Sequence, residues 1–240
     1  MNVIETRGLI KDFGSFRAVD SLDLSMEEGK ITGLLGPNGA GKTTTIQMLL
    51  DIITPTAGEI RIFDKDFKHD KEEILSSLNF SSPYVALPSN LTVMENLLTF
   101  ARLYGVKKPR AKIEELAGAF EITNLLHRIT ASLSTGQLTR VNLTKAFIND
   151  PKLLLLDEAT ASLDPDIADK TRKTLKKMQK EKGVSILYTS HNMAEIEELC
   201  DWVIFINKGK MREEGTSDDL IKKFGHKDLN DVFISIARES

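Results

Sequence analysis

The chain has 240 residues, 41% of them hydrophobic and 28% charged, with a formal net charge of −3. That is enough for a sizeable core, as one domain or a domain with a subdomain, and the weakly acidic balance gives no global attraction to nucleic acid or anionic lipid. No apolar stretch reaches the ~18 residues of a membrane-spanning helix, and the N-terminus lacks a signal peptide's basic and apolar regions. The one cysteine, Cys200, excludes an internal disulfide and fits a reducing compartment; its apolar neighbours make it a buried structural thiol. A cytoplasmic protein is expected, unless a partner carries it to a membrane.

Residues 1–30 carry short alternating segments: one over 3–9, then Val19, Leu22, Leu24 and Met26, spaced for one face of a sheet. Phe13-Gly14 and Glu28-Gly29 supply turns. Residues 30–35 read as a buried strand and 44–50 as a helix. A loop at 54–58 precedes a strand at 59–63. From about Pro83 to Asp150 the period turns helical, with Leu97, Phe100, Ala101 and Tyr104 on one face and Leu116, Phe120, Leu125 and Leu126 on another. Leu153-Leu154-Leu155-Leu156 is a continuous apolar run suited to a parallel strand covered on both faces. A charged helix over 165–182 leads to a second such run at 184–188. A hairpin follows, from Trp202 to Ile206, turning at Asn207-Lys208-Gly209-Lys210. Leu229, Val232, Phe233 and Ile236 mark a short amphipathic helix.

Between the strand at 30–35 and the next helix lies Gly36-Pro37-Asn38-Gly39-Ala40-Gly41-Lys42-Thr43, the G-x-x-x-x-G-K-[ST] spacing of a phosphate-binding P-loop. A triphosphate presents several closely spaced negative charges. A Gly-rich loop curls backbone N–H groups around them because no Cβ blocks the approach. The helix that opens with Lys42, Thr43 and Thr44 points its positive end at the same phosphates. Lys42 would reach the β- and γ-phosphates, and the Thr43 hydroxyl would ligate Mg²⁺. A chance match in a turn is the alternative; strand, loop and helix in that order favour a nucleotide site.

A nucleotide hydrolase also needs an acid to hold Mg²⁺ and a base to orient the attacking water. Both belong at the C-terminal end of a strand beside the P-loop. Asp157-Glu158, after the leucine run, supplies them: Asp157 for Mg²⁺ through water, Glu158 as general base. A strand ending in solvated acids is the plain alternative. His191 follows the run at 184–188, where an imidazole can donate a hydrogen bond to the transferred phosphoryl group, although a lone histidine is more often a surface or packing residue.

With Leu133-Ser134-Thr135-Gly136-Gln137 added, the chain resembles the nucleotide-binding subunits of ABC transporters over essentially its whole length. The motifs fall in order: P-loop at 36–43, signature at 133–137, Walker B strand at 153–158, D-loop Ala161-Ser162-Leu163-Asp164 and switch histidine His191. The resemblance implies an α/β fold, with a P-loop NTPase core, an N-terminal antiparallel β subdomain and an inserted α-helical signature subdomain. Residues 1–82 and 151–240 would form the core and 83–150 the helical part of one domain. It implies ATP and Mg²⁺ as cofactors and Glu158, His191 and Lys42 as the catalytic set. Ser134, Gly136 and Gln137 would bind the γ-phosphate of ATP held by a second ATP-binding subunit, packed head to tail. Asp164 would stand between the two sites. Ser134 could also be a plain helix cap. Phe13, in Lys11-Asp12-Phe13-Gly14, matches the aromatic that stacks on adenine. A separate transmembrane permease would dock around residues 80–100, holding the chain at the cytoplasmic face of the membrane. The stretches 91–97, 100–105 and 229–233 are similar to the ABC-2-type exporter subfamily. The alternatives are a soluble ABC ATPase outside transport and a weakly hydrolysing regulatory subunit.

Two positions depart from that family. Thr135 stands where Gly is commonest. The glutamine that usually contacts Mg²⁺ and the membrane subunit is replaced by Pro83, in Phe80-Ser81-Ser82-Pro83-Tyr84, and no Gln lies between Gln47 and Gln137. Ser81 or Ser82 could supply a hydroxyl there, and proline stiffens the hinge.

Overall fold

The computed structural model describes residues 1–83 and 86–238. The N-terminal hairpin consists of β1 (Asn2–Phe13) and β2 (Phe16–Glu27); with β4 (Ala57–Ile62) and β5 (Lys65–Asp66) it makes an antiparallel sheet in the order β2-β1-β4-β5. Val19 and Leu22 are three residues apart yet both are buried, because β2 carries a bulge with Ser21 at φ 51.

The second sheet is built from β3 (Ile31–Leu35), β6 (Leu78–Ser81), β7 (Leu153–Asp157), β8 (Ser185–Thr189), β9 (Trp202–Asn207) and β10 (Lys210–Gly215), in the order β10-β9-β3-β8-β7-β6. Its pairings are parallel except that of β9 with β10. The leucine run of β7 is covered on both faces as expected. Leu154 and Leu156 join the core on the helical side, and Leu153 and Leu155 the core shared with the antiparallel sheet. Each such leucine contributes about 1.5–3 kcal/mol by leaving water. Helix α1 (Lys42–Leu49) fills that second core with Ile46, Met48 and Leu49. β8 lies between β7 and the P-loop strand β3.

Residues 93–146 hold α3 (Val93–Leu103), α4 (Pro109–Ala119) and α5 (Thr135–Ala146). Thr92 and Glu95 form a reciprocal capping box that starts α3, and Asn96 is buried while donating to Pro88 O and Thr130 Oγ1. Leu97 and Ala101 are buried, whereas Tyr104 ends the helix half-exposed. The charged helix α6 (Pro165–Lys182) starts on Pro165 and stops at Gly183 (φ 66), burying Ala168, Thr171, Leu175 and Met178 at helical spacing. Three short helices are absent from the sequence-based reading: α2 (Lys71–Ser76), α7 (Met193–Leu199) and α8 (Ser217–Phe224). The last helix, α9 (Leu229–Arg238), buries Leu229, Val232 and Ile236 as its pattern predicts. The Cys200 Sγ packs beneath Gly33, where an added Cβ would stand 3.1 Å away, and burial pushes the thiol well above its usual range. Among the described residues, no helix is long and apolar enough to cross a membrane.

Candidate active site

β3 runs into the P-loop, and α1 begins at Lys42 with Gly41 as its N-cap at φ 103. No side chain caps this helix, so its first-turn N–H groups face the loop's concave side. Steric reasons fix two of the glycines. A Cβ on Gly36 would lie 2.2 Å from Ile206 O, and one on Gly41 would lie 2.7 Å from Ala18 O. The loop is wedged between β2 and β9. Lys42 Nζ donates to Gly36 O (2.6 Å) and Pro37 O (3.2 Å). Burial lowers the Lys42 pKa, and the charges of Asp157 and Glu158 partly offset that.

Residues 38–44 line a cavity of about 290 Å³ together with Asp157, Glu158 and His191. Gly36 and Pro37, which open the loop, do not line this cavity and instead contribute carbonyls to Lys42. The parallel sheet makes the gathering possible, since the C-terminal ends of β3, β7 and β8 all open on the same edge. Thr189 Oγ1 donates to Asp157 Oδ1 at 2.5 Å. Glu158 sits at φ 50, uncommon for a side-chain-bearing residue, and its N–H donates to Thr189 O (3.1 Å) and to Thr189 Oγ1 (3.2 Å). His191 Nε2 lies 2.7 Å from Glu158 Oε1. One strand end therefore fixes the acid pair, and its next loop presents the imidazole.

The remaining sequence-predicted residues lie elsewhere. Ser134 caps α5 in a reciprocal box with Gln137: Gln137 N donates to Ser134 Oγ (3.3 Å) and Ser134 N to Gln137 Oε1 (3.1 Å). Gly136 packs against Ser162 O, and Thr139 Oγ1 lies 2.7 Å from Ser162 Oγ, tying the signature helix to the D-loop. Ser134, Thr135 and Asp164 are exposed and line no part of the P-loop cavity. Phe13 is 49% exposed at the hairpin tip, with Lys11 Nζ 5.0 Å from its ring centroid. The hairpin residues that do line the cavity are Phe16 and Ala18. Phe16 was missed, and its signal is the strand period: it shares a face with Ala18, whose carbonyl meets Gly41.

The P-loop, the uncapped helix and the acid pair one strand away define a P-loop nucleoside triphosphatase. The family model for the ABC transporter matches residues 19–161. The bacitracin transport ATP-binding protein BcrA of Bacillus licheniformis is 40% identical over 224 residues, covering 92% of this chain and 72% of that protein. The daunorubicin/doxorubicin resistance ATP-binding protein DrrA of Streptomyces peucetius is 33% identical, over 92% of this chain and 68% of its own length. The solved ATP-binding subunit of an ABC transporter superposes with a TM-score of 0.89 at 25% identity, covering 98% of this chain and all of that one. The chain belongs to the ABC transporter family, as an ATP-binding cassette whose hydrolysis of ATP drives transport.

Proposed function

We propose that the chain is the Mg²⁺-dependent engine of an exporter, docked on a separate transmembrane permease at the cytoplasmic face of the membrane. The observation that carries this is the convergence of residues 38–44, Asp157, Glu158 and His191 on one cavity. The antibiotic-linked names of BcrA and DrrA support the outward direction.

Loop N–H groups, the α1 N-terminus and Lys42 would hold the triphosphate. Thr43 and Asp157 are oxygen donors on one cavity, which suits Mg²⁺, an ion that keeps waters and phosphate oxygens in its shell. When bound, Mg²⁺ neutralises charge on the phosphate oxygens. Glu158 accepts a proton from water as its oxygen attacks the γ-phosphorus and the bond to ADP breaks. His191 supports that loop and donates to the phosphoryl oxygens. Ser134 and Asp164 stand exposed, Gly136 and Gln137 are half-buried, and all four lie away from this cavity, an arrangement suited to completing the site of a second copy packed head to tail. In purified protein, chelation should abolish turnover and Mg²⁺ restore it; turnover persisting in EDTA overturns the metal assignment.

Phe13 is the proposed adenine platform. Base–aromatic stacking is worth about 1–3 kcal/mol, so Phe13→Ala should weaken ATP binding about 5- to 150-fold, with Phe16→Ala much milder. Equilibrium binding of a fluorescent ATP analogue checks this, and the reverse order would transfer the role to Phe16.

The permease would dock beside the segment leaving β6. Ser81 pairs in register with Leu156, so Ser82 starts a step away from Asp157. Both Ser81 and Ser82 are buried, Pro83 is half-buried, and Tyr84 lies outside the described residues. This segment, opening the helical stretch 83–150, is proposed as a working but altered coupling element. Pro83→Gln should change the permease's stimulation of ATPase about fivefold or more. Unchanged ATPase and transport in both Pro83→Gln and Ser82→Ala reduce the segment to a connector.

A further inference from the structure

Glu195 is a carboxylate with a 5%-exposed side chain on the short helix after the switch histidine, outside the catalytic set. Its partners come from three segments of the chain. Thr160 Oγ1 donates to Oε1 at 2.5 Å, Arg172 Nη1 donates to the same oxygen at 3.3 Å, and Ser190 Oγ donates to Oε2 at 2.6 Å. The Tyr188 hydroxyl lies 2.8 Å from Thr160 Oγ1, and Arg172 is held from its other side by Glu198 at 2.7 Å. Ser190 Oγ also accepts from Asn192 N (3.1 Å), so the turn carrying His191 closes on the atom that Glu195 holds.

Thr160 stands two residues after Glu158, and Ser190 immediately precedes His191. The two segments form walls of a cavity of about 830 Å³ that also touches Glu158 and His191, and Glu195 bridges between them. Asp157 and Thr189, one residue before Glu158 and two before His191, are joined as well. The segments carrying Glu158 and His191 are thus fastened twice, before the pair by Asp157–Thr189 and through buried Glu195. A buried carboxylate with every contact charge-assisted resists rearrangement more than neutral contacts do.

We propose that Glu195 is a positioning residue that clamps the segment between Glu158 and the D-loop to the switch loop and thereby sets the Glu158–His191 geometry required for hydrolysis. This rests on the roles proposed above for Glu158 and His191. Glutamine keeps the shape and one acceptor, so Glu195→Gln should fold; Glu195→Asp keeps the charge but shortens the reach.

The test compares the full-length wild type, Glu195→Gln, Glu195→Asp and Glu158→Gln. The clamp requires that Glu195→Gln lower kcat about tenfold or more, with KM and ATP-analogue affinity within about twofold and an unchanged melting temperature. Its imidazole NMR signal for His191, assigned among the four histidines with His191→Ala, should shift while the other three stay in place. Glu195→Asp should recover part of both effects. Loss of kcat in step with loss of folded protein, an unmoved His191 signal, or an unchanged kcat each overturns the clamp. Turnover surviving in Glu158→Gln would instead remove the base assignment and leave the His191 signal as the judge of the clamp.

Discussion

Glu158→Gln should bind ATP with near wild-type affinity and turn it over about 10²- to 10⁴-fold more slowly, the usual worth of a positioned general base. The amide keeps the side chain's shape, and the backbone bonds from its N–H to Thr189 are untouched. It cannot accept the proton of the attacking water, and it removes a negative charge from the cavity wall. A protein that closes on ATP and cannot cut it should accumulate in the closed form. Its solution mass should therefore double with Mg-ATP and stay monomeric with Mg-ADP or without nucleotide. Ser134, Thr135 and Asp164 are exposed, as a surface awaiting a second subunit would be. A mass that stays monomeric while ATP is demonstrably bound would overturn the homodimer and place the missing half of the site on a heteromeric or membrane partner.

What the sequence made legible follows from how local the physics is. The P-loop glycines announce a phosphate cradle, yet the reason Gly36 and Gly41 admit no side chain is nonlocal, the carbonyls of Ile206 and Ala18. The leucine run of β7 and the amphipathic stripe of α6 are periodic signals, and both elements form where their patterns place them. β6 escaped because Leu78-Asn79-Phe80-Ser81 is short and half polar. Asn79 is buried, and Asn149, 70 positions on, supplies its side chain with an acceptor at 2.9 Å. Glu195 escaped for the same reason: an acid in a charged helical stretch reads as solvated until Thr160, Arg172 and Ser190 converge on it. The signature serine was legible both as a cap and as a ligand group. The capping box is made within the chain, whereas the proposed phosphate contact would need a second subunit.

Lys42→Ala should separate binding from folding. A charge-assisted hydrogen bond is worth about 1.5–3 kcal/mol, so a lysine spanning two phosphates gives about a hundredfold or more in ATP affinity, and turnover should fall with it. The folded protein has little to lose. Lys42 rests on two carbonyls of its own loop, and burial acts against its charge. The melting temperature should thus stay within about 2–4 °C of wild type, the shift of about 1 kcal/mol in a chain of this size. Lys42→Arg should not restore affinity, because a planar guanidinium cannot occupy the space of an ammonium folded against Gly36 O and Pro37 O. Titration of an ATP analogue alongside thermal unfolding reads both quantities on one sample. Affinity retained within threefold would show that the loop's N–H groups and the α1 terminus hold the phosphates without the lysine. A collapse in melting temperature would make Lys42 a loop fastener first, with its reach toward phosphate secondary.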